Sequence, residues 1–221
     1  MKTIAYIKTD FNEKFGIPRQ SGLVKTKGKI IFEKEFRVKE AFSGLEEFSH
    51  IWILWKFSKA ERENWSPTVR PPLLGGNKRK GVFATRSPFR PNAIGLSCVE
   101  LLKIEYTKEN GPVLYVSGAD LLDGTPILDI KPYLPYADSF PDAKAGFTED
   151  LEERKLEVII KDENFYSLCE NTQKEIKELL SLDPRPSYKG DGEVFGMKYA
   201  DCEIKFEVTN KILSVISVEK I

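Results

Sequence analysis

Short apolar runs alternate with polar, turn-forming clusters along the first two-thirds of the chain. TIAYI (3–7), KIIFEKEF (29–36), HIWILWKF (50–57), GVFATR (81–86), SCVELLKIEY (97–106) and PVLYVSGADLL (112–122) are rich in β-branched and aromatic residues. Such residues suit a pleated, half-buried surface, so each run is predicted to be a strand. Gly, Pro and Asn gather between the runs at 16–18, 71–77, 88–92 and 110–112, where they punctuate the strands as turns. No long amphipathic helix interrupts the first 140 residues. That argues against a doubly wound sheet and for an all-β barrel or sandwich. The connection 58–80 is long, and long ordered loops are often functional.

The pattern changes near residue 140. DSFPDAKAGFTED (138–150) is polar and reads as a linker. A strand is expected at RKLEVII, followed by a helix in which Phe165, Leu168, Thr172, Ile176, Leu179 and Leu180 recur at three- and four-residue steps. Pro184 disfavours helical geometry at Asp183, so the helix should stop there. Three strands follow: VFGMKY, CEIKFEV and ILSVISV. In the second, Cys202, Ile204, Phe206 and Val208 alternate with Glu203, Lys205 and Glu207. The chain is therefore divided into a β domain over 1–140 and a small α+β domain over 151–221. About 70 residues are only marginally stable alone, so the second domain is expected to dock on the first.

Composition narrows the chemistry. The 221 residues hold 34 Lys+Arg and 34 Asp+Glu, a net charge of zero, which excludes a globally basic nucleic-acid protein but not a locally basic face. No apolar run approaches the roughly 18 residues needed to span a membrane. The opening MKTIAYIKTDF lacks the apolar core of a secretory signal. Cys98, Cys169 and Cys202 stand far apart, without disulfide or zinc spacing. The single histidine, His50, leaves no His-based metal site and no Ser-His or Cys-His hydrolase. No metal and no membrane partner are expected, and a cytoplasmic location is.

Three segments carry candidate chemistry. Between Asn64 and Val99 there is no acidic residue, while Arg70, Lys78, Arg79, Lys80, Arg86 and Arg90 give a local charge of +6. The rest of the chain therefore carries −6. This is either a solvated face or a phosphate-binding surface in which Arg and Lys displace counterions. Phe83 and Phe89 are interleaved for stacking on bases. Composition alone does not separate nucleic acid from nucleotide here. The second segment, ADLLDGTPILDIKPY (119–133), brings Asp120, Asp123 and Asp129 within ten residues. Asp123-Gly124-Thr125-Pro126 is a turn signal, suited to closing an Asx turn or to meeting a cationic or hydroxyl-bearing ligand. The third is the Pro18-Arg19-Gln20 turn in FGIPRQSG.

Taken in order, PRQSGLV, LEEFSHIWILWKF, WSPTVRPPLLGGNKRKGVFATRSPFRPNAIGLSCVEL, DLLDGTPILDIKPYLPYAD and DPRPSY closely resemble the TrmO (TsaA-like) tRNA methyltransferases. The resemblance is dense over 3–137 and looser beyond. It implies a non-Rossmann β-barrel methyltransferase, a homodimer, and S-adenosylmethionine-dependent methylation of N6 of threonylcarbamoyl-adenosine beside the anticodon of a tRNA. It implies cofactor contacts at Pro18, Arg19, Gln20, Ser58, Lys59, Arg86, Leu96, Asp123, Gly124, Thr125 and Pro126. At Ser58 the family commonly carries His, so there only a backbone contact is carried over. Asp123 and Asp120 are the candidates for a general base. Arg70, Lys78, Arg79, Lys80 and Arg90 are candidate RNA contacts, joined by Arg185, Tyr188 and Lys189 unless the C-terminal domain is a structural cap. Two other functions fit the residues: a non-catalytic binder of S-adenosylmethionine or RNA, and a small-molecule methyltransferase.

Overall fold

A computed structural model describes residues 1–60, 64–149, 155–186 and 189–221. Its first part is a closed antiparallel barrel of six strands. They are β1 (Ala5–Thr9), β2 (Lys27–Phe32), β3 (His50–Lys56), β6 (Ile94–Thr107), β7 (Gly111–Ser117) and β8 (Pro126–Pro132). Around the barrel the order is β1-β2-β7-β6-β3-β8. Closure rests on the short pairing of Ala5 with Ile127 and Tyr6 with Pro126. Alternate residues face inward, as the period of a strand demands: Ile51, Ile53 and Trp55 on β3 meet Val99 and Leu101 on β6, with Ile30, Leu114 and Ile127 completing the core. The remaining pair of this part, β4 (Thr68–Val69) and β5 (Lys80–Gly81), forms a two-stranded ribbon.

Three expected strands differ. GVFATR is not a strand beyond Gly81: Val82–Ala84 forms a 3-10 turn closed by Thr85 N–H on the Val82 carbonyl. Arg86 consequently sits in a loop and is exposed. KIIFEKEF ends as a strand at Phe32 and turns at Lys34–Phe36. PVLYVSGADLL leaves the sheet after Ser117, where Gly118 takes a positive φ. β8, in contrast, was hidden in PILDIKP. It is bracketed by prolines, and Ile127 is its sole fully buried residue, so it shows no clean alternation.

The C-terminal part is a four-stranded sheet in the order β10-β11-β12-β9. Its strands are β9 (Glu157–Ile160), β10 (Val194–Tyr199), β11 (Cys202–Thr209) and β12 (Ile212–Lys220). Helix α2 (Glu170–Ser181) lays Ile176, Leu179 and Leu180 on it; the short α1 (Pro135–Asp138) follows the barrel. The expected helix was longer. Phe165 belongs instead to a separate 3-10 turn (Glu163–Ser167), and extended Cys169 breaks the two apart. Asp183, ahead of Pro184, takes a positive φ just past the helix. Among the described residues no helix is long and apolar enough to cross a membrane.

The second core is not purely C-terminal. Phe11 and Val24, from the segment between β1 and β2, are buried in it beside Met197, Tyr199 and Phe206. Phe11 and Tyr199 meet at 5.2 Å between ring centroids, and Phe15 stacks on Phe195 and Phe206. Gly16 has φ +87°, and a Cβ there would lie 2.4 Å from the Met197 sulfur, so the backbone itself is the packing surface. Ala200 N–H on the Asp10 carbonyl and Lys198 N–H on Glu13 Oε1 tie down the rest.

Candidate functional site

One end of the barrel gathers the exits of β1, β3 and β7 and the entries of β6 and β8. A cavity of about 620 Å³ opens there. Its walls are the 14–20 segment, residues 55–60 at the end of β3 and just beyond it, the 85–90 loop, the start of β6, and the turn that follows β7.

The floor is polar and ordered by one hydrogen-bond chain. Trp55 Nε1 donates to Ser97 Oγ at 2.9 Å, and Ser97 Oγ donates to Asp120 Oδ1 at 2.5 Å. Gly95 makes this possible, because a Cβ there would stand 2.2 Å from the Trp55 ring. Burial pushes the Asp120 carboxyl above its ordinary pKa, opposed by the Ser97 hydrogen bond and by the charge of Arg86. No salt bridge holds Asp120 among the described residues. Across the cavity Arg86 donates to Gln20 Oε1, Lys14 Nζ donates to the Lys59 carbonyl at 2.6 Å, and Phe57 packs on Trp55 at 4.2 Å.

Of the cofactor positions expected from the sequence, Pro18, Arg19, Gln20, Ser58, Lys59, Arg86, Leu96 and Thr125 line this cavity. Asp123, Gly124 and Pro126 do not. Asp123 faces β1: its Oδ1 accepts Thr9 N–H at 3.0 Å and its Oδ2 meets Lys8 at 3.3 Å. Gly124 N–H bonds the Ile7 carbonyl, and Pro126 opens β8. These residues clip the turn to β1 and so fix Asp120 and Thr125. The two carboxylates expected as bases thus stand in different surroundings.

The basic residues also separate. Lys78 is exposed. Arg79 Nε donates to Thr68 Oγ1, bracing the β4–β5 ribbon. Lys80 lies over the Phe147 ring at 5.8 Å. Arg90 Nη1 donates to the carbonyls of Thr85 and Ser87, buckling the 85–90 loop, and its guanidinium lies over Phe83. Exposed Phe83 stacks on exposed Trp65. Arg70 lines a second, adjoining groove. Arg185 is held by Asp183 and Asp191, and Lys189 by Glu193 at 2.8 Å. Tyr188 lies outside the described residues.

Sequence reasoning missed Ser97 and Lys14. Ser97 carried a signal: it is the polar residue on the inward period of β6, between Gly95 and Val99. Lys14 carried none.

A barrel closed by six antiparallel strands, with its ligand cavity at one rim rather than at a Rossmann crossover, defines a β-barrel class of binding or transferase domain. Family comparison then fixes the particular lineage. The N-terminal domain of tRNA-methyltransferase O matches residues 6–139, and the TrmO C-terminal domain matches residues 153–221. The chain belongs to the tRNA-methyltransferase O family. It is 42% identical to the Escherichia coli K12 tRNA (adenine(37)-N6)-methyltransferase, over 98% of this chain and 96% of that one. It is 40% identical to a Pseudomonas aeruginosa PAO1 protein named a putative S-adenosylmethionine-dependent methyltransferase, over 91% and 89% of the two chains. The crystal structure of TrmO from Pseudomonas aeruginosa superposes with a TM-score of 0.77 at 34% identity, over 98% of this chain and 97% of that chain.

Proposed function

We propose that this protein is an S-adenosylmethionine-dependent tRNA methyltransferase acting on adenine N6 next to the anticodon, with threonylcarbamoyl-adenosine as the acceptor. The observation that carries the reading is Asp120: a buried carboxylate that forms no salt bridge among the described residues, at the floor of a cavity whose rim is a basic segment free of acids. Similarity over nearly the full length to a named tRNA (adenine(37)-N6)-methyltransferase supports it.

The cavity suits the cofactor in size and donor set. Sites for such ligands span about 300–1,000 Å³. Arg19 and Arg86 complement a carboxylate. Phe57, Phe89 and Leu122 offer apolar wall to a purine, and Thr125 and Asp120 offer acceptors to hydroxyl or ammonium groups. When bound, S-adenosylmethionine supplies an electrophilic methyl group on a positively charged sulfur.

Transfer to nitrogen is an in-line displacement, so the protein's part is chiefly alignment and exclusion of water. The Gln20–Arg86 contact closes the rim between the 14–20 segment and the 85–90 loop. The carbamoyl group makes the acceptor N–H more acidic than a plain adenine amine. In this reading Asp120 Oδ2 accepts that proton, while Ser97 holds Oδ1 and fixes the carboxylate plane. Asp123, whose oxygens serve Thr9 and Lys8, anchors the turn. The reading includes a homodimer and a cytoplasmic site of action; exposed Tyr136 and Phe140 beside the barrel supply apolar surface for a second copy.

Mass spectrometry of tRNA nucleosides, from cells with and without the protein, tests the reaction. The N6-methylated derivative should disappear with the protein. Its persistence, or the absence of S-adenosylmethionine binding by calorimetry at millimolar ligand, would overturn the proposal.

A further inference from the structure

A second groove, of about 640 Å³, adjoins the cofactor cavity and shares Lys14, Ile17 and Arg19 with it. Three separate stretches build it: the 14–19 segment, the 70–77 loop, and the Pro184–Pro186 turn of the C-terminal domain. Among the described residues its titratable lining is Lys14, Arg19, Arg70 and Arg185, with no carboxylate. Arg185 is neutralised behind the wall by Asp183 and Asp191. Lys14 donates to the Lys59 carbonyl and Arg19 to the Asp183 carbonyl. Arg70 is exposed, and among the described residues no hydrogen bond or ion pair engages it. Gly75 and Gly76, both at positive φ, form the opposite lip. A Cβ at Gly75 would meet nothing within 4 Å, so the lip leaves backbone open to a close ligand.

We propose that this groove binds a backbone phosphodiester of the RNA strand next to the nucleotide being methylated, with Arg70 as its principal contact. The inference rests on the tRNA methyltransferase reading and deepens it. A polyanion neutralised here is directed straight into the cofactor cavity, because Lys14 and Arg19 belong to both walls. Arg70 offers a planar fork that matches a phosphate's oxygens. The C-terminal domain contributes the Pro184–Pro186 wall, so both domains shape the groove.

The test uses the full chain and bulk tRNA from cells lacking the enzyme. Binding is measured from 50 to 200 mM salt for the wild type, Arg70→Ala and Asn77→Asp. Lys103→Ala, on β6 and outside both the groove and the cavity, is the control. Arg70→Ala is expected to raise the tRNA Kd roughly fivefold and to flatten the log–log salt slope by about 0.7. Asn77→Asp, which adds a negative charge to the lip, should weaken tRNA binding similarly, and both variants should keep wild-type S-adenosylmethionine affinity. Unchanged Kd and slope in Arg70→Ala would overturn the groove while leaving the enzyme reading intact. Loss of cofactor affinity would also overturn it, by placing the groove in the cofactor site. A wild type that binds no tRNA would overturn both.

Discussion

The barrel rim and the C-terminal turn 183–193 both concentrate charge, yet they use it in opposite ways. At 183–193 each cation has an acid: Arg185 forks onto both oxygens of Asp183 and reaches Asp191, and Lys189 pairs with Glu193. At the rim, among the described residues, Asp120, Arg86, Lys14 and Lys78 stand in no such ion pair. Asp120 is met by a hydroxyl, Arg86 by an amide, Lys14 by a carbonyl, and Lys78 extends into solvent. Paired charge holds a fold together. Charge left over against neutral dipoles is available to a ligand that brings the opposite sign.

The sharpest way to break this contrast is at Asp120. Asp120→Asn should lower the single-turnover methylation rate about a hundredfold or more, the scale of a lost general base, while the melting temperature stays level or rises. Asn keeps the Ser97 contact and removes a buried charge. A fall in stability with activity retained would show that Asp120 belongs with the structural charges. The same carboxylate gives a pH signature. Its pKa is raised, so the methylation rate should fall as pH drops through that raised value, and the wild-type acid limb should vanish in the variant.

Next in size is the triple change Lys78→Ala, Arg79→Ala, Lys80→Ala. Three phosphate contacts on single-stranded RNA correspond to about 2 in the salt slope. Fluorescence titration of tRNA should show that flattening with cofactor affinity unchanged. Arg79 already serves Thr68, so a drop nearer 1.4, two contacts' worth, would assign the effect to the lysines.

Arg185→Ala should act on stability. Its side chain is 11% exposed and bound to two acids, so a loss of about 1 kcal/mol, or roughly 2–4 °C in melting temperature, is expected. A larger effect on tRNA affinity than on melting would move Arg185 to the ligand-binding group.

The smallest effect lies at the seam between the two regions. Burial, then the charges of Asp201 and Asp123, raise the Asp10 carboxyl; burial also raises Glu175. The native state therefore takes up these protons more readily than the unfolded chain. Stability should rise as pH falls through the raised values, and the penalty should be fully present above them. Asp10→Asn should shallow that dependence in denaturant titrations at stepped pH.

Much of this was legible in the residues. The apolar runs gave five of the six barrel strands, because inward alternation is written plainly in HIWILWKF and SCVELLKIEY. β8 was not legible: prolines at both ends and one buried side chain erase the period. The turn at 123–126 was read as a turn, but sequence spacing does not say which of two nearby carboxylates faces a cavity. That depended on Asp123 finding Thr9 across the barrel. The +6 segment was visible as a sum, whereas its division came from the folded geometry: Arg79 and Arg90 brace neighbouring backbone and side chains, while Lys80 reaches Phe147 and Arg86 reaches Gln20. Arg86 was expected at a strand end; a 3-10 turn places it on a loop, where it reaches Gln20.

Phe11, Phe15 and Gly16 belong by sequence to the first domain and by packing to the last. This has a consequence for synthesis. As the chain leaves the ribosome, the strands of the barrel are all available once Pro132 has emerged. The segment bearing Pro18, Arg19 and Gln20 still lacks the surface that fixes it until Met197, Tyr199 and Phe206 arrive. The cavity wall is among the first parts made and the last to settle. A chain truncated before β10 is therefore expected to bind S-adenosylmethionine more weakly than the full chain, a difference that calorimetry reads.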